Sequence, residues 1–230
     1  MVVLGHILPS EYSKFANFVY LFHMPSFFIL SGMCHKKTKI IDLIKKIFIP
    51  FIVYLVIIYI FSYLFLAKIP LKNVLIGGKQ LKGALGVFWF IPCLFYAKVI
   101  FSIINELKTN DKNKIILLIV LYVFNVIILK NYFYNKVTLW NIDIAIICAV
   151  YYAIGFYLKN YKNNKNLCIL DVIISALVLV TFIFDKLHIV FNMKNKNIYI
   201  NPLYQLIIPT AITISLYYIF NIIKKLKFTK

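Results

Sequence analysis

Histidines are the side chains in this sequence best suited to moving a proton, and two of them stand in apolar surroundings. His6 lies in MVVLGHIL and His23 in YLFHMPSFFILSG. Imidazole changes charge near neutral pH, so either ring could act as a general base towards a hydroxyl. The competing reading is a hydrogen bond from each ring to a neighbouring helix. Asp143 opens the apolar run DIAIICAV and reads as an anion at the mouth of that run. Segment 35–46 (HKKTKIIDLIKK) carries Lys36, Lys37, Lys39, Lys45 and Lys46. Such a strip either fixes topology against anionic lipid or docks a phosphorylated cofactor, its ammonium groups acting as point charges on phosphates. His35 belongs to the same strip and reads as solvated. Trp89, in WFIP, stands at the end of an apolar run, where an interfacial aromatic is common.

The elements that carry these residues must be membrane helices. The chain has 230 residues, 63% hydrophobic and 14% charged. Its mean hydropathy is +0.87. A soluble domain is about 45–50% apolar and about 25% charged. A soluble globule is therefore excluded, and so is a disordered chain, which has little apolar surface to bury. With only 7 Gly and 7 Pro, a collagen-like chain is excluded too. Stretches 16–34, 47–67, 86–104, 114–130, 141–158, 167–187 and 200–223 are apolar and close to the length that crosses a bilayer. They must be helices, since an open sheet edge cannot sit in lipid. Met1–Leu8 is apolar but too short to cross, and reads as the end of a helix whose first half is missing. The expected fold is all-α, a polytopic transmembrane helix bundle of about seven full spans plus a partial first helix. It forms one integral-membrane domain over residues 1–230, apparently incomplete.

The net charge is +19, and every one of the 26 basic residues is Lys. Lysine lacks the planar fork with which Arg reads base edges, and these lysines form short strips between apolar runs. Nucleic acid is excluded as a partner, and the lipid bilayer is the expected one. Alternate loops, beginning with 35–46 and ending with the C-terminal tail, hold fifteen lysines against ten in the opposite set. That bias puts the C-terminus in the cytoplasm. It also puts His6 and His23 in the outer half of the membrane, on adjacent antiparallel helices, where they could share a cavity. Cys34, Cys93, Cys148 and Cys168 show neither close pairing nor a metal-ligand spacing. Each reads as a small buried apolar residue; no disulfide and no metal are expected.

VVLGH, FHMPSFFILSG, the basic strip ending in IP, and FWFIPCLF together resemble the membrane-bound acyltransferase family 3. The likeness is to its fucose 4-O-acetylase-like and polysaccharide O-acetyltransferase branch. NIDIAIICAVYYAIGFYLK resembles a later helix of that branch. The resemblance runs from Val2 to about Lys159 and continues only as hydropathy. It implies an O-acyltransferase of the cell (inner or plasma) membrane, moving an acetyl group from cytosolic acetyl-CoA to a hydroxyl of a cell-surface or lipid-linked carbohydrate. His6 matches the family's catalytic histidine, and His23 the histidine of its FHMP block. Lys45 and Lys46 fall where the family has basic residues linked to the acyl donor. Trp89 and Pro92 match the WF-x-P block, and the acceptor is assigned to Trp89 and Asp143. The family has a basic residue ahead of the first histidine and a late histidine block, positions this chain lacks, so it is expected to be truncated at both ends. The alternatives are a transporter or flippase-like protein, and an inactive fragment of an acyltransferase.

Overall fold

The computed structural model describes residues 14–65, 70–129, 136–161, 165–183, 190–194, 197–199 and 202–228. Helix α1 spans Lys14–Met33. Helix α2 spans Ile40–Phe65 and contains a π-helical turn at Ile44–Phe48. Short helix α3 (Leu71–Ile76) leads into 3-10 turns at Gly78–Gln80 and Gly83–Trp89. Helix α4 is Phe90–Glu106, and α5 is Asp111–Phe124 continued by a π turn at Asn125–Leu129. A 3-10 turn (Leu139–Asn141) opens α6, Ile142–Tyr161. Helix α7 is Lys165–Ile183, and α8 is Pro202–Phe228. Between them, β1 (Val190–Asn192) and β2 (Asn197–Tyr199) form a small antiparallel ribbon, with Phe191 opposite Ile198.

The fold is thus of the all-α membrane class, the short β ribbon aside, as the apolar runs require. Among the described residues, four helical stretches are long and apolar enough to cross a membrane: Ile40–Phe65, Leu85–Glu106, Leu139–Lys159 and Pro202–Ile223. A shorter apolar stretch, Phe18–Met33, lies in α1. Val53, Val56, Ile57, Ile60 and Leu64 of α2 are exposed, a stripe that suits lipid and not water. The basic strip is not all loop: α2 begins at Ile40, inside it. Apolar Ile40, Ile41, Leu43 and Ile44 have helical spacing, and Asp42 favours the first turn of a helix. Asn110 starts α5, its side-chain oxygen accepting from the Asn113 N–H at 3.1 Å.

The chain forms two compact units. The first comprises residues 1–34, 154–193 and 197–230; the second comprises 35–153 and 194–196. In the first, Phe28 and Ile29 of α1 and Ala211 and Ile212 of α8 are buried. A Cβ at Gly155 of α6 would sit 1.8 Å from the Ile29 carbonyl oxygen, so only glycine lets these backbones touch. Hydroxyls join the helices: Ser26 of α1 meets Thr213 of α8 at 2.6 Å, and Ser175 of α7 meets Ser215 of α8 at 2.9 Å.

In the second unit Phe51, Leu55, Val74, Leu81 and Leu85 make a core. Cys93, Ala97, Phe101 and Ile104 repeat at helical spacing along α4 and are all buried. Cys93 and Cys148 are buried as their apolar surroundings suggested, whereas Cys34 is exposed just beyond the end of α1.

Candidate functional site

His23 is buried midway along α1, two residues before the intrahelical Pro25. Its Nδ1–H donates to the Val19 carbonyl, four residues back, at 3.0 Å. A carbonyl can only accept, so this bond puts the proton of a neutral ring on Nδ1 and its lone pair on Nε2. The Tyr20 ring meets the imidazole edge to face at 5.0 Å. The bond runs within α1 and not to a neighbouring helix, and a neutral ring so bonded carries its lone pair on Nε2.

His23 lines a cavity of about 350 Å³ between α1 and α8, within the range of small-molecule sites. Its walls are mostly apolar, Phe27 and Leu30 from α1 facing Leu216 and Tyr217 from α8. The side chains with polar groups on it are His23, Ser26, Thr213 and Tyr217. The Thr213 hydroxyl lies 2.6 Å from the Pro209 carbonyl, which can only accept its proton. Ser26 must then donate to Thr213. Ser26 has no second proton to give, so it is not arranged as a nucleophile that donates to the histidine. The cavity thus sets a potential base in a largely apolar enclosure.

His6 lies outside the described residues. Lys45 and Lys46 are adjacent and exposed on the π turn of α2. Trp89 ends the 3-10 turn before α4 and is only 4% exposed. It packs in the interior of its unit and is not an interfacial anchor. Pro92 follows in the first turn of α4, where a missing N–H leaves no helical bond unmade. Asp143 is also buried, which corrects its reading as an interfacial anion. Its carboxylate accepts from the Thr138 hydroxyl, and its backbone carbonyl accepts from Asn125 Nδ2 at 2.7 Å. The structure thus joins Asp143 to the start of its own helix and to α5.

His35 is not simply solvated. It is half-buried, shares a 2.9 Å hydrogen bond with the Tyr152 hydroxyl, and meets Phe101 edge to face at 5.1 Å. Its place in a lysine-rich strip hid this, and no sequence signal pairs it with a tyrosine so distant. Among the described residues, no group of three His, Cys, Asp or Glu could hold a metal ion.

Apolar helices of spanning length define a membrane protein, and a buried histidine lines one of its cavities. A family model described as an acyltransferase domain matches residues 1–228. The chain belongs to this acyltransferase family and is, at that level, a membrane acyltransferase. No curated protein and no solved structure matches it.

Proposed function

We propose that this protein is an O-acetyltransferase of the cell membrane, with its C-terminus in the cytoplasm. It takes the acetyl group from cytosolic acetyl-CoA and places it on a hydroxyl of a cell-surface or lipid-linked carbohydrate. The observation that carries this reading is the His23 tautomer, set by Val19 in the wall of a cavity. The acceptor hydroxyl gives up its proton to the His6 imidazole, with His23 Nε2 beside it to orient the hydroxyl or share the proton, as its oxygen bonds to the acyl carbon. The carbon–sulfur bond breaks, and the imidazolium returns the proton to the leaving thiolate. His6 and His23 share this duty, His6 as base and His23 in support. Exposed Lys45 and Lys46 suit the phosphates of the acyl donor as point charges. Trp89 and Asp143 act as positioning residues on the acceptor side, both buried, Asp143 holding Thr138 beside the turn that opens α6.

His6→Ala and His23→Asn test the proposal. Asparagine at 23 keeps a donor near the Nδ1 position and removes the base. With labelled acetyl-CoA and membrane fractions, transfer should fall about 10²–10⁴-fold while membrane abundance stays at the parent level. Full transfer by both variants would sink the reading.

A further inference from the structure

The cavity at His23 reaches well beyond the imidazole. Its α1 wall runs from Phe22 and His23 to Leu30, and its α8 wall from Thr213 to Phe220. Seven residues separate His23 from Leu30, about 10 Å of helix at roughly 1.5 Å per residue. An extended octyl chain has about that length. The volume, about 350 Å³, is far more than a two-carbon acyl group fills. Something larger than the transferred group must account for the rest of the space.

The walls offer that occupant little polarity. Ser26 spends its proton on Thr213, and Thr213 spends its own on the Pro209 carbonyl. The His23 Nδ1–H goes to the Val19 carbonyl. Tyr217 brings the one further hydroxyl, and the rest of the wall is hydrocarbon and aromatic ring, as at Phe27 and Leu216. A carbohydrate drawn fully into this space would leave most of its hydroxyls unpaired, which costs free energy. A hydrocarbon chain loses nothing there. Leu30 and Phe220 on the wall are 44% and 68% exposed. Phe220 lies on a helix of spanning length, so the cavity opens sideways towards lipid.

We propose that the cavity seats the hydrocarbon chain of a lipid-linked acceptor, whose carbohydrate is held at the His23 level. This rests on the acetyl-transfer reading and narrows its acceptor from carbohydrates in general to those carried on lipid. The topology in that reading agrees. Helix α1 runs from the outer face towards the cytoplasm, so the step from His23 to Leu30 leads deeper into the bilayer. A lipid of the outer leaflet points the same way, head outward and chain inward.

The full chain is reconstituted in phosphatidylcholine nanodiscs with an octyl glucoside that carries a diazirine at the far end of its chain. After illumination, labelled residues are mapped by mass spectrometry. Label should concentrate on Leu30, Leu216 and Phe220. Leu216→Trp fills the cavity and should cut this label at least tenfold. Leu30→Trp blocks the exposed mouth without overpacking the interior and should do the same. Ile57→Trp, on the exposed stripe of α2, should label as the parent does. A phosphatidylcholine bearing the same diazirine should give less than a tenth of the cavity label at equal mole fraction. His23→Asn should keep the label while losing acetyl transfer in membrane fractions. Label no denser in the cavity than on α2, or unmoved by both Trp variants, would overturn the proposal. Equal labelling by the phosphatidylcholine probe would make this an ordinary lipid crevice and overturn it too. Transfer by the parent without cavity label strikes this inference alone. Cavity label without any transfer by the parent strikes the acetyl-transfer reading, and the naming of the chain as an acceptor's falls with it.

Discussion

One added methyl group, Gly155→Ala, should loosen α1 and with it the cavity wall that carries His23. The new Cβ would start 1.8 Å from the Ile29 carbonyl oxygen, and carbon atoms of this kind keep at least 3.0 Å from such neighbours. The two backbones must part by more than an ångström, because no flexible side chain can give way instead. Overpacking of this sort costs about 1–3 kcal/mol. For a chain of this size that lowers the unfolding midpoint by roughly 2–12 °C. The displacement falls on α1, six residues beyond His23, while Ser26 is held to Thr213 at 2.6 Å from the α8 side. A misplacement of about 1 Å at a reacting group can cost roughly a hundredfold in rate. Thermal unfolding in detergent and labelled acetyl transfer in membranes read the two effects separately. An unchanged midpoint together with full transfer would refute the claim that this close approach seats the histidine.

Thr138→Val removes the hydroxyl that donates to buried Asp143 and should cost about 1–3 kcal/mol, read as a lower unfolding midpoint. Changing both Lys45 and Lys46 to Gln should raise KM for acetyl-CoA roughly three- to thirty-fold with kcat kept, since exposed charge pairs contribute up to about 1 kcal/mol each. Lys194, whose pKa is lowered by burial and by Lys82, gives the pH prediction. Between its folded and unfolded pKa values the unfolded chain binds more protons, so stability should rise with pH towards the usual lysine range. Below the folded value the full penalty is present. Lys194→Met should flatten this part of the midpoint-versus-pH curve.

The helices were legible because lipid demands long apolar runs, and each expected span coincides with a helix to within a few residues at most ends. The start of α2 was not, because isoleucines between lysines carry helical spacing that a reading for topology treats as loop. His23 was legible as a polar group in an apolar run, and its neighbour Pro25 marked the place. Its cavity partners on α8 were not, since Thr213 and Tyr217 look like any other residues of an apolar helix and lie almost two hundred positions away. Trp89 and Asp143 were expected at interfaces and are instead buried, because burial depends on which helix covers them. The pairing of Gly77 and Gly78 with Trp140 and Asn141, whose side chains a Cβ on either glycine would strike, was invisible: a double glycine announces a turn, but not what the turn is shaped to admit.

The π turn at Ile44–Phe48 holds one residue more than the same stretch of α-helix would. Removing a residue from an ordinary helix rotates everything beyond it by about 100° and turns a lipid-facing side chain inwards. Here a deletion would tighten the turn to α geometry and leave Ile49–Phe65 facing the same lipids. Lys45 and Lys46 stand on that spare residue's turn. The length of the basic segment can therefore drift by one residue over evolutionary time without dismantling the span it leads into.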